Sequence, residues 1–303
     1  MNAAARHDVT VVGQIARDLV LVVDDFPEAL ASTRVRERRE TLGGKGANQS
    51  VSLAQLGASV VLLGVVGDDR DAGRVLDRAR ADGIDTGSVV RRAGERTALI
   101  VDVVDQRAQW RYLEDIPDAT LLTEQDIRAR EPALRAARAV IVQLQQPTAT
   151  ALAAARVAGP DALVVLDGVA PAELLDAADV IRADDREARL LTGEELDQPE
   201  DVLRAARTLL DRHARLRLVA FGAGEHGNVF AWPNGNLVLP LDDVPVADTT
   251  GGGDAFVAAL TLGLIRGAEL EDAATAAVAA AADTVRHPGG RPELAPSVLN
   301  ATA

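Results

Sequence analysis

Three consecutive glycines, Gly251, Gly252 and Gly253, stand between Asp248 and Asp254 in the stretch DTTGGGDAF, directly ahead of the apolar run AFVAALTLGLIRG. A glycine inside a helix costs about 1 kcal/mol relative to alanine, so three in succession mark a place where bare backbone is needed. Successive N–H groups at a helix N-terminus form a concavity for an anion, reinforced by the positive end of the helix dipole. A carboxylate beside a bound phosphate would repel it. Asp254 therefore makes chemical sense as a base that takes a proton from a hydroxyl attacking a phosphate held by the glycines. The competing reading is an aspartate that caps the helix after a glycine turn.

A second glycine-rich element, GGKGANQ, spans Gly43 to Gln49 and includes Gly44, Lys45 and Asn48. It is not a Walker A loop, because Lys45 is followed by Gly46 and the required spacing is missing. A turn carrying Lys45 and Asn48 offers amides and side-chain donors suited to sugar hydroxyls; a plain strand–helix turn is the alternative. In DDREARLLTG, Asp184 and Glu187 lie three apart at a helix start, where carboxylates could hold a hydrated Mg²⁺ or simply face solvent. GAGEHG, Gly222 to Gly227, matches the dinucleotide-binding spacing, but NVFAWPNGNLVLP follows it and reads as strand, turn, strand. The fingerprint needs a helix opening at the glycines, which disfavours a dehydrogenase. His7, His213, His226 and His287 are too far apart for a zinc-like spacing.

Elements able to position these groups recur along the chain. Short β-branched runs at 9–13, 60–67, 139–142, 163–167, 179–182 and 216–222 alternate with helical patterns such as AGRVLDRARADG and DVLRAARTLLDRH. This alternation predicts a parallel sheet covered by helices on both faces, with the last 50 residues helical. Two regions break it. Residues 19–42 hold two strand-like runs around a proline-containing turn, and residues 97–113 form a hairpin through Asp105–Arg107. Both are expected outside the main sheet as a small β layer acting as a lid, the alternative being edge hairpins that extend the main sheet.

Composition narrows the partners. Of 303 residues, 48% are hydrophobic and only 2% aromatic, so the core must be built from Ala, Val and Leu. The net charge of −14 argues against nucleic acid or an anionic membrane. No cysteine is present, which excludes disulfides and thiolate chemistry. The expectation is a cytoplasmic protein, one domain over 1–303 with the lid strands inserted.

Taken together, VVGQIARDLV, GGKGANQ, LGVVGDDRDAG, LLTG, DTTGGGDAF and VRHPGG resemble the ribokinase-like (PfkB) carbohydrate kinases, nearly end to end and closest to the ribokinase branch. The resemblance implies a three-layer α/β/α sandwich with a mostly parallel central sheet and a small β-sheet lid. It implies an ATP-dependent kinase for a hydroxymethyl group of a small sugar, with Asp254 as general base and Gly251 to Gly253 as the anion hole. Asp18, Gly43, Gly44, Lys45 and Asn48 would bind the sugar, and Asp184, Gly222, Ala223 and Gly253 the nucleotide. Glu187 would orient Mg²⁺ through water. Asp248 and Thr250, with carbonyls near Val285 and Gly290, resemble a monovalent-cation site for K⁺, and the lid would support a homodimer.

The chain departs from that pattern at definite positions. Ala16 stands where ribokinases have Asn, and Gln145 where they have Glu, both at ribose contacts; a site that loses polar partners for a hydroxyl discriminates differently, so ribose is not the expected substrate. Asp184 replaces Asn of the N-x-x-E motif, Ala220 a Thr, and Val278 an adenine-facing Asn. The lid carries Arg34, Arg36, Arg38 and Arg39, which suggests either a phosphorylated or acidic substrate or, more simply, a solvated strand face. A nucleoside kinase and a non-catalytic sugar- or nucleotide-binding sensor are the alternative functions.

Overall fold

The computed structural model describes residues 5–107, 109–287 and 289–300, so Pro288 of the VRHPGG stretch lies outside the described residues. Fourteen strands and ten α-helices are present among them. The strands are β1 (His7–Val12), β2 (Ala16–Val23), β3 (Val35–Gly43), β4 (Val60–Leu63), β5 (Val65–Val66), β6 (Val90–Arg91), β7 (Leu99–Val104), β8 (Trp110–Asp115), β9 (Ala137–Gln143), β10 (Leu163–Asp167), β11 (Val180–Ala183), β12 (Leu218–Gly222), β13 (Asn228–Trp232) and β14 (Gly235–Leu239). The helices are α1 (Lys45–Gln55), α2 (Arg70–Ala81), α3 (Glu124–Ala129), α4 (Glu131–Ala136), α5 (Thr148–Val157), α6 (Ala172–Leu175), α7 (Asp185–Thr192), α8 (Pro199–Arg212), α9 (Gly252–Arg266) and α10 (Leu270–Thr284).

Eight strands form the main sheet in the order β14-β13-β12-β11-β10-β9-β1-β4, parallel except where β13 joins β12 and β14. Parallel strands buried on both faces should read as unbroken apolar runs, and β9 and β10 do. Alternate side chains feed two cores. Val9, Val11, Ala139 and Ile141 pack under α1, α2, α9 and α10, whereas Val12, Val140 and Val142 pack under α3, α5 and α8. The result is helix, sheet, helix: an α/β sandwich.

A second sheet, ordered β3-β2-β7-β8, is built from the two segments that broke the alternation. It is separate from the main sheet, so the edge-hairpin alternative fails. Its strands run somewhat beyond the expected limits, from Ala16 and to Asp115. The run at 60–67 is not one strand: a side chain at Gly64 would meet the Gly13 carbonyl oxygen at 2.6 Å, and the chain there leaves the main sheet for a pairing of β5 with β6. The C-terminal region is helical only as far as Thr284, after which a loop and a short 3₁₀ turn follow. After Gly222 the chain makes a 3₁₀ turn and enters β13, so no helix opens at GAGEHG. Among the described residues, no helix is long and apolar enough to cross a membrane.

Candidate active site

Polar side chains terminate the central strands at their carboxyl ends, the side of an open α/β sheet where ligands gather. Asp167 ends β10 and is 1% exposed; Arg182 lies on β11, and Asp184 follows it. Arg182 Nη1 donates to Asp167 Oδ1 at 3.0 Å, and Lys45 Nζ lies 3.7 Å from Asp167 Oδ2. Gln49 Nε2 donates to the same oxygen at 2.8 Å. Burial by itself would raise the Asp167 pKa, but Lys45, Arg182 and these hydrogen bonds outweigh it and hold the carboxyl below its usual range. The Asp167 charge in turn raises the Lys45 pKa against its burial. A fixed ionic base thus lies under the site.

Above it, Asp254 sits in the first turn of α9 and is 4% exposed. Its carboxylate accepts from Gln49 Nε2 at 3.3 Å and Asn48 Nδ2 at 3.4 Å, both on α1. It therefore faces α1, not its own helix end, and the capping alternative is set aside. Burial pushes its pKa up to about 6, with Lys45 opposing and Asp167 reinforcing the shift. The helix begins at Gly251, whose φ of 76° is the left-handed conformation glycine adopts without strain. A side chain there would also strike the Gly290 carbonyl oxygen at 2.0 Å.

A cavity of about 520 Å³ opens between these elements and the small sheet. Of the residues expected at the site, its walls bring together Asp18, Gly44, Lys45, Asn48, Gln145, Asp184, Thr250, Gly251, Gly253 and Asp254. Gly43 stands just behind: a side chain at this position would fall 1.8 Å from the Asp18 carboxyl carbon and displace it. Ala16, its register partner, is fully buried, and Gly252 is buried against Val285. Gly222, Ala223 and Val278 also lie outside the cavity. Gly222 backs onto Asp184 and Asp185, and Val278, on α10, is 7% exposed and packs against the core.

Two metal expectations concern this region. Asp184 and Glu187 form a reciprocal capping box on α7, each side chain accepting the other's backbone N–H at 2.7 and 3.0 Å. Glu187 is half-buried beside Arg182, and its pKa is raised, first by burial and then by the Asp167 charge. One carboxylate already bonded to backbone fits a contact to Mg²⁺ through water rather than direct ligation. The residues expected to hold K⁺ stand near one another, with some of their oxygens engaged by backbone N–H groups. Asp248 uses one oxygen on the Thr250 N–H and the other on the Gly289 N–H. The Val285 carbonyl accepts from both Ala247 and Asp248 N–H groups, which fills its two lone pairs, and the Gly290 oxygen packs against Gly251. No step is derived through that ion.

The small sheet contributes side chains that sequence reasoning missed: Ile100, Asp102, Trp110, Tyr112 and Glu114 line the cavity. Trp110 and Tyr112 stack at 4.4 Å between ring centroids. Trp110 Nε1 donates to Thr249 Oγ1 at 3.1 Å, and the Tyr112 hydroxyl bonds to Thr250 Oγ1. Period-two alternation within 97–113 was the available signal. For Asp167 and Arg182 the signal was a polar residue closing an apolar run. The lid arginines take the simpler of their two readings. Arg34, Arg36, Arg38 and Arg39 are exposed and absent from the cavity wall, with Arg36 paired with Asp24 and Arg39 with Glu37, an arrangement that matches a solvated strand face.

A profile of the pfkB family carbohydrate kinases matches residues 6–296. The chain belongs to this family. A bifunctional ribokinase/ribose-5-phosphate isomerase A of Fructilactobacillus sanfranciscensis is 29% identical over 260 residues, 83% of this chain and 47% of that protein. The chain thus spans about half the length of that relative. An ATP-dependent ribose-1-phosphate kinase of Halopiger xanaduensis is 30% identical over 286 residues, covering 92% of each chain. Among solved structures, a ribokinase from Thermotoga maritima superposes with a TM-score of 0.82 at 24% identity, over 97% of this carbohydrate kinase and 98% of the other. That likeness bears on the fold.

Proposed function

We propose that the protein transfers the γ-phosphoryl group of ATP to a hydroxymethyl group of a small sugar, with Asp254 as the general base. One observation carries this: a buried carboxyl, held by Asn48 and Gln49, immediately follows three glycines at a helix N-terminus. A base must be within reach of the proton it takes, and an anion hole must face the developing charge. Asp254 takes the hydroxyl proton. The N–H groups of Gly251 to Gly253 face the transferring group, while Lys45 and Arg182 supply positive charge from below. Lys45 and Asn48 orient the sugar with Asp18, and Gln145 stands at the exposed rim. The nucleotide lies past the ends of β11 and β12, along Asp184, Gly222 and Ala223. Mg²⁺, when bound, neutralises phosphate charge, and Glu187 holds it through water. The small sheet serves as the lid.

A nucleoside acceptor is the second reading, favoured by the stacked Trp110–Tyr112 pair in the wall, since nucleobases stack on aromatic rings. ATP consumption with Mg²⁺ across pentoses, ketohexoses, deoxysugars, sugar phosphates and nucleosides, each product checked by mass, tests both. A phosphorylated sugar supports the first reading and a phosphorylated nucleoside the second. Sugar binding without turnover of any compound would overturn the kinase reading in favour of a sensor.

A further inference from the structure

Strand β7 sends Ile100 and Asp102 into the cavity, and Asp102 is only 3% exposed. Neither of its carboxyl oxygens accepts a hydrogen bond from a donor group, and its charged neighbours are two more carboxyls, Asp248 and Asp18; burial first, then Asp248 and Asp18, push its pKa up to about 8, so without a cation it keeps its proton beside Asp248. Asp18, on the adjacent parallel strand β2, is 7% exposed, and its Oδ1 also lacks a partner. The register pairs Asp18 with Ile100 and Val20 with Asp102, so the two aspartates are diagonal neighbours on one face of the sheet. Buried polar groups are nearly always satisfied, and an uncompensated buried charge is among the most expensive things a fold can contain. Three such oxygens facing one cavity call for a ligand.

The surroundings define its charge. The cavity wall carries six acids, Asp18, Asp102, Glu114, Asp184, Asp185 and Asp254, against two cations, Lys45 and Arg182. Both cations already lean on Asp167 below. Tyr112, the register partner of Asp102 on β8, bonds to Thr250, and Trp110 bonds to Thr249. The lid is thereby fixed onto the loop leading into α9, and Asp102 stays at the sugar end of the cavity. Among the described residues, no group of three His, Cys, Asp or Glu side chains is placed to hold a metal ion.

We propose that the sugar end of the cavity takes a substrate bearing a basic amine, an amino sugar or amino polyol, with its ammonium group between Asp18 and Asp102. This rests on the kinase reading above and names its substrate class. An ammonium offers three N–H donors for the three unpartnered oxygens and cancels charge as it does so. A hydroxyl offers one donor and leaves the two carboxyls repelling each other. The acceptor hydroxyl of the same molecule lies toward Asp254.

The test is calorimetric titration of the whole protein with matched probes: 2-amino-2-deoxy-D-ribose against D-ribose, D-glucosamine against D-glucose and N-acetyl-D-glucosamine, and 1-amino-1-deoxy-D-fructose against D-fructose. The same probes are then assayed for phosphorylated product. At least one amine should bind roughly tenfold or more tighter than every neutral counterpart it is matched with, the worth of a charge-assisted hydrogen bond. Asp102→Asn, which keeps the side-chain volume, should erase that preference. An amine preference that persists in this variant overturns the role of Asp102. If the variant does not fold, the wild-type comparison of amine with acylated amine decides. Neutral sugars bound and phosphorylated in preference to amines would sink the inference and leave the kinase reading standing. Failure of every amine to bind or react, while the wider panel yields a phosphorylated product, would likewise sink the inference and leave the kinase reading standing.

Discussion

Replacing Asp254 by asparagine removes the proposed base while hardly changing side-chain volume. Two donors, Gln49 Nε2 at 3.3 Å and Asn48 Nδ2 at 3.4 Å, now meet a carboxylate. An amide accepts from one of them and turns its own NH₂ toward the other, a loss of about 1 kcal/mol. The burial penalty that raises the Asp254 pKa disappears at the same time, so the two effects on stability oppose each other, and above pH 6, where the wild-type carboxylate is charged, the variant should melt no lower than the wild type. Catalysis should respond far more. General-base assistance contributes about 10²–10⁴-fold, so kcat should fall by that factor, or about 2.7–5.4 kcal/mol at 1.36 kcal/mol per decade, with KM for the sugar changed much less. The pH profile supplies an independent readout. The base must be unprotonated, so wild-type kcat/KM, which reports the free enzyme, should rise with pH through about 6, where burial sets the Asp254 pKa, and fall tenfold per unit below it. The residual rate of the variant should lack that limb. Steady-state kinetics of both proteins from pH 4.5 to 8.5 would measure it. A variant within tenfold of wild-type kcat, or one that keeps an acid limb near 6, would refute the assignment.

Three further outcomes are expected. Gly251→Ala should lower unfolding free energy more than Gly267→Ala does. Both glycines have left-handed φ and cost about 1–2 kcal/mol there, but only the Cβ at 251 strikes a backbone oxygen, at 2.0 Å, while nothing lies within 4 Å of the one at 267; equal urea midpoints would contradict this. Burial raises the folded-state pKa of Asp18 to about 7 and of Asp254 to about 6. The folded ligand-free protein therefore keeps protons that the unfolded chain loses near 4, and melting temperature should fall as pH rises from 5 to 8; Asp102, pushed up to about 8 first by burial, contributes as well, so Asp18→Asn with Asp254→Asn should lessen the fall without abolishing it, and an undiminished fall would contradict this. Asp167→Asn strands Arg182 and Lys45 without their carboxylate, which should cost about 3–5 kcal/mol, and it relieves the like charge beside Asp254. The acid limb of kcat/KM should then move below 6, and an unmoved limb would show that the two carboxyls do not interact.

Much of this was already legible in the residues. Glycine is demanding: GGKGANQ and DTTGGGDAF announced backbone-lined turns before helices because side chains at Gly43 and Gly251 have no room. Apolar runs at 139–142 and 163–167 announced buried parallel strands because both faces of such strands are covered. The two segments that broke the alternation formed their own sheet for the same reason: neither supplies a helix to cross back over the main one. What the pattern could not convey is which side chains of distant elements share a space. Asp102 and Tyr112 read as ordinary members of a hairpin, and Asp167 and Arg182 as the ends of two strands. Only the folded chain puts Asp102 beside Asp18, and Arg182 and Lys45 against Asp167, because those pairings depend on strand register and on how α1 and α9 approach across the sheet. The residues expected around K⁺ add a detail of the same kind: two backbone N–H groups fill the Val285 carbonyl, while each Asp248 oxygen accepts one and keeps a free lone pair. Residue type and order determined the fold and singled out Asp254 as the candidate base; the competition of individual oxygens for partners, and hence the charge of the cavity wall, was decided in three dimensions.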